Sequence, residues 1–159
     1  MKKKAIIWIT MLLFFIWLVI DNGNYISQSI GWRLNWGFEA PKPSEIETIF
    51  NTRNGFPNEG ETFFVLSYRS IENKLKERDG WISINRDSYS TVSNLLEGFQ
   101  KNTADINDDT MIIKKLFQEN PVTYYIGDSF FYKLEEDNSY ILAIANAKEK
   151  KLFVMEWIQ

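Results

Sequence analysis

Asp105, Asn107 and Asp109, in "DINDDT", stand at the first, third and fifth positions of a calcium loop, where a hard cation needs oxygen ligands. The glycine of the loop's sharp turn would then fall at Thr110, and its bidentate glutamate at Leu116. Asp108 and Asp109 also directly precede an apolar-periodic stretch, where carboxylates cap a helix N-terminus. Capping is the expected role, and neither a metal nor any other cofactor is implied.

Paired carboxylates are the second candidate chemistry, since acid and base roles need two of them a few ångströms apart. Glu59 with Glu61, and Glu45 with Glu47, would each share a strand face. Turn residues and solvent-facing positions surround them, so a solvated face is expected rather than a catalytic pair. Two absences narrow the rest: the chain has no cysteine and no histidine. Disulfides, thiol nucleophiles, thiolate metal sites, a histidine base and the commonest metal ligand are thereby excluded. No serine–lysine spacing and no glycine-rich loop opening a helix stands out. No catalysis is expected; a small carboxylate-dependent hydrolase is kept as a second alternative.

The elements that would position these residues begin with "MKKKAIIWITMLLFFIWLVIDNG". Lys2, Lys3 and Lys4 precede sixteen residues, Ala5 to Ile20, of which only Thr10 is polar. A segment apolar all round cannot be a surface helix. As a helix it would span roughly 24 Å, against a hydrocarbon core of about 30 Å, so local thinning or snorkelling of Lys4 would help it across. Its bulk, including Trp8, Leu12 and Phe15, and the lack of a nearby small-x-small cleavage site predict an uncleaved anchor over residues 1–20. The alternative is a signal cut near Ser29, within Ser27-Gln28-Ser29, which would release a secreted soluble effector or inhibitor.

The lysines before the run, with no basic residue after it until Arg33, place the N-terminus in the cytoplasm and the rest of the chain outside the cell membrane. Removing those three lysines from the 18 basic residues leaves 15 against 21 acidic ones, a net charge of −6. An acidic domain does not seek nucleic acid through bulk electrostatics. The expected partners are the bilayer, through the anchor, and a protein.

Residues 21–44 read as a connector, with Trp32, Trp36 and Phe38 either beginning the core or forming an interface at the headgroup level. Residues 45–159 read as one α+β domain with an antiparallel sheet and two to three helices. "IETIF" and "TFFVLSY" predict a hairpin; "IENKLKER", capped by Ser70, a helix; and "WISI" a short strand. Tyr89, Val92, Leu95, Leu96 and Phe99 recur at helical spacing behind Asp87 as N-cap, and Ile112, Ile113, Leu116 and Phe117 mark a second helix stopped by Asn120-Pro121. "TYYIG", "SFFYKLE", "SYILAIANA" and "KLFVMEWIQ" predict strands, the last three a meander with turns at Asp137-Asn138 and around Lys148-Glu149.

In the hairpin, "NGFPNEGETFF" (Asn54 to Phe64), with Gly55, Phe56, Glu59 and Gly60, resembles a Gly-Phe-x-x-Asp/Glu-Gly hairpin of small, functionally unassigned proteins of Gram-positive bacteria. Several of those carry a single N-terminal membrane segment, and the resemblance implies the same layout here. The expected function is a membrane-tethered, extracytoplasmic, non-enzymatic interaction or accessory domain.

Overall fold

The computed structural model describes residues 25–53, 59–71, 75, 78–107 and 109–159. The anchor positions Ala5, Trp8, Leu12, Phe15 and Ile20 lie outside the described residues, as do Gly55, Phe56 and Asp108. No described helix is long and apolar enough to cross a membrane. The chain divides into two units, Met1–Ala40 and Pro41–Gln159.

In the first unit, residues 25–36 form a helix, α1, where the sequence pattern suggested a connector. Trp32 and Trp36, four apart, fall on one face of it and both are buried. Gly37 ends the helix at φ 64°, and its N–H donates to the Arg33 carbonyl at 3.0 Å, a left-handed ending that a Cβ would strain. The chain then folds back: the buried Phe38 meets Trp32 edge-on at 5.7 Å, and the Tyr25 hydroxyl donates to the Ala40 carbonyl at 2.9 Å.

The second unit is α+β. Its strands are β1 (Glu45–Asn51), β2 (Gly60–Ser67), β3 (Ile82–Ser83), β4 (Ser129–Leu134), β5 (Tyr140–Asn146) and β6 (Lys151–Ile158). They form one antiparallel sheet in the order β1-β2-β6-β5-β4-β3. Both the expected hairpin and the expected meander are present. The pairing of β6 with β2 joins them, so the last strand of the chain and the apolar β5 occupy the centre. Left-handed Asn138 (φ 67°) and Lys150 (φ 57°) stand in the two meander turns.

Two helices lie on one face of this sheet: α2 (Arg86–Ile106) and α3 (Thr110–Glu119). Val92, Leu96 and Phe99 of α2 and Ile113 and Phe117 of α3 join Phe63, Val65, Leu142, Ile144, Phe153 and Met155 in a continuous core. Phe50, Phe63, Phe99 and Phe117 form its aromatic centre, with ring centroids 5.6–6.2 Å apart. The opposite sheet face is buried as well, through Phe64, Leu66, Ile141, Ala143, Leu152 and Val154.

Several expectations are corrected. The N-cap of α2 is Asn85, not Asp87: its side chain accepts from the N–H groups of Asp87 and Ser88, and Ser88 Oγ accepts from the Asn85 N–H in a capping box. Asp109 occupies the N-cap position of α3 but its side chain makes no capping hydrogen bond. Tyr89 and Ile112, counted in the apolar stripes, are exposed. "TYYIG" forms no strand. Its backbone is held instead by side chains, since Asn146 Nδ2 donates to the Thr123 carbonyl and Asp128 Oδ2 accepts from the Tyr125 N–H. Of "IENKLKER", Leu75 is helical and buried and Ile71 is buried; the remaining residues up to Glu77 lie outside the described set.

Candidate functional site

Among the described residues, two buried carboxylates, Glu61 and Glu156, lie at the hairpin end of the sheet, and a β-bulge in β1 brings their partners to them. Thr48 pairs with Phe64 but Phe50 pairs with Phe63, so Ile49 is inserted and the alternation of β1 reverses. Phe50 thereby enters the core face beside Phe63. The reversed phase continues past Asn51, bringing Thr52 to the face of Glu61 and Arg53 to the face of Thr62 and Glu156.

On the helix-bearing face, Thr52 Oγ1 donates to Glu61 Oε2 at 2.5 Å and accepts from the Glu61 N–H at 2.8 Å, while the Thr52 N–H donates to the Glu61 carbonyl. Glu61 is 2% exposed. It stands in one row across the sheet with Trp157 and Tyr140, whose rings stack at 6.2 Å. Burial, then the neighbouring Tyr132 and the Glu61 charge, push the Tyr140 phenol well above its ordinary value.

On the opposite face, Thr62 Oγ1 donates to Glu156 Oε2 at 3.0 Å, and Arg53 Nη2 lies 3.1 Å from Glu156 Oε1. Glu156 is 1% exposed. Arg53 is close enough for an ion pair, yet neither its Nε nor its Nη2 makes an aligned hydrogen bond among the described residues. The two buried carboxylates thus point to opposite sides of one sheet and cannot converge on a shared substrate atom. What the cluster can do is lock the register of β1, β2 and β6, because each contact bridges two of these strands or the segment leaving β1.

The other sequence candidates are dispersed. Asp105 pairs with Lys101 at 2.8 Å along α2, and Asn107 Nδ2 donates to the Thr103 carbonyl at the helix end. Among the described residues no three acidic side chains gather closely enough to hold a metal ion. The hydrogen bond to Asp105 raises the pKa of Lys101. Glu45, Glu47 and Glu59 are exposed, whereas Glu61 is buried, so the expected solvated pair of Glu59 and Glu61 is split between water and core. Gly60 has φ 129°, and a Cβ there would come within 2.9 Å of Thr52 Oγ1.

Sequence reasoning passed over Glu156 and Arg53. A signal was present for the glutamate: "LFVMEWI" sets one carboxylate inside an apolar strand, which requires a partner. It also missed the groove between the two helices. That groove is open, holds about 520 Å³, and is lined by Lys101, Ala104, Asp105, Lys114, Phe117 and Gln118. At the α2–α3 junction, Met111 is 82% exposed and Ile106 and Ile112 are each more than half exposed.

No family model, no curated protein and no solved structure matches the chain.

Proposed function

We propose that this chain is a membrane-tethered domain held outside the cytoplasm that acts by contact with a protein partner rather than by catalysis. The observation that carries the reading is the apolar surface at the α2–α3 junction. Ile106, Met111 and Ile112 are exposed there, and the two helices that meet at the junction also line an open groove with Phe117 and Ala104 together with Lys101, Asp105 and Lys114. Such a patch suits a partner's apolar side chains within a polar frame. Away from it, the buried carboxylates among the described residues have partners within the unit, and no cysteine or histidine is present for nucleophilic or general-base chemistry. The tether rests on the lysines and the apolar run Ala5 to Ile20, and the hairpin resemblance supports the same layout.

Two measurements test this. A C-terminally tagged chain should fractionate with membranes at full length and lose its tag when protease is added to intact cells. A shorter species in the medium would replace the tether with a secreted effector. A photoreactive residue in place of Met111 should give one discrete protein adduct in cells, lost on Ile112→Asp and absent from the exposed control position Glu136. No adduct at Met111 would remove the partner-binding reading.

A further inference from the structure

Along α1, three aliphatic side chains face water. Ile26 is 51% exposed, Ile30 54% and Leu34 78%. Spaced by four residues, they lie within about 80° of arc on one side of the helix. Trp32, Trp36 and the half-buried Tyr25 occupy another side, and the exposed Ser27 and Arg33 border the stripe, with Arg33 Nε 3.4 Å from Glu39. A helix with one side committed to burial has no structural need for a second apolar stripe, so this one calls for an occupant.

Chain length identifies it. The apolar run ends at Ile20, six residues before Ile26, which is at most about 20 Å of chain. If that run occupies a bilayer, the stripe cannot be far from the lipid surface. We infer that α1 is an interfacial helix, laying Ile26, Ile30 and Leu34 into the headgroup and acyl boundary of the membrane that holds the chain. This rests on the proposed tether and adds to it a second, peripheral contact that orients α1. The chemistry fits a zwitterionic surface: among the described residues the one charge bordering the stripe is Arg33, paired with Glu39. A second copy fits less well, since a stable dimer needs about 20–30 residues a side and the stripe offers three side chains on the described part of the helix.

A chain without cysteine is a clean background for labelling. The full-length protein, carrying a spin label at Ile26→Cys, Ile30→Cys, Leu34→Cys or the exposed control Asn35→Cys, is reconstituted in phosphatidylcholine vesicles. Flotation with the vesicles tests the tether separately: failure of the unsubstituted chain to float removes the tether, and this inference with it. With flotation intact, labels at 26, 30 and 34 should sit roughly 5–10 Å below the lipid phosphates, accessible to oxygen and shielded from an aqueous nickel reagent, with the Asn35 label in water. Stripe labels as open to the aqueous reagent as the Asn35 label would overturn the inference. So would stripe labels that couple magnetically between copies at dilute protein, which would assign the stripe to a dimer. All four positions are exposed, so the substitutions leave the core intact.

Discussion

At the hairpin end of the sheet, buried carboxylates are held by side chains: Thr52 holds Glu61, and Thr62 and Arg53 hold Glu156. At the opposite end, buried side chains mostly satisfy backbone. Asp128 accepts from the N–H groups of Tyr125 and Ala147, and Asn146 accepts from the Glu149 N–H while donating to Thr123. The first arrangement ties separate strands together with charge; the second fastens the loops leaving them. The difference predicts different failures. Removing half of a buried charge pair strands the other half in a dry environment, whereas removing a loop fastener frees a few N–H groups that fraying can return to water.

The sharpest way to break the comparison is Glu156→Leu, which strands the Arg53 guanidinium. A loss of about 3–5 kcal/mol is expected in denaturant melts, with much of it recovered by adding Arg53→Met, because a well-packed apolar pair can replace a buried ion pair. If the single and double variants are equally unstable, the pair is not the device that holds this end. Next comes Gly60→Ala, in which a side chain at φ 129° meets Thr52 and disturbs its hold on Glu61. The expected cost is about 1–3 kcal/mol. A melt superimposable on wild type would show the hairpin end to be pliable.

Asp128→Ala should cost about 1–2 kcal/mol and act locally. Hydrogen exchange would speed at Tyr125 and Ala147 while the amides of Glu61 and Thr62 keep their protection. Equal acceleration at both ends would erase the distinction between strand clamp and loop fastener.

The smallest effect concerns pH. Tyr140 stays protonated in the fold above its ordinary value, and a phenol is charged only when deprotonated, so the unfolded chain releases this proton first. The stability it contributes is complete below about pH 10 and is lost as the pH climbs beyond that. The melting temperature should therefore fall between pH 10 and 11, and fall less steeply in Tyr140→Phe. Parallel curves for the two proteins would show that Tyr140 ionisation does not weaken the hairpin end.

Much of this was legible in the residue pattern, for reasons that are local. Alternation and turn residues marked β1, β2, β4, β5 and β6, because strand faces and left-handed turns depend on near neighbours in sequence. Helical periodicity marked α2 and α3, but not the cap: Asn85 and Asp87 are both good capping residues, and only the extended backbone at Asn85, φ −119° and ψ −173°, decides between them. "TYYIG" has strand-forming residues and no strand partner, so its composition was misleading; side chains from β5 and the segment before β4 claim its backbone.

By itself the sequence determined the class of the domain, its missing chemistries and the apolar run near its N-terminus, since composition and periodicity are properties of the chain alone. Tertiary structure decided which charges are buried and which side chain each one meets. Nothing in "EIETIFNTR" announces that Ile49 is the inserted residue, yet that single insertion turns Phe50 into the core, Thr52 toward Glu61 and Arg53 toward Glu156. A period-two pattern shifted by one residue exchanges both faces of a strand, and only the pairing of β1 with β2 chooses the shift.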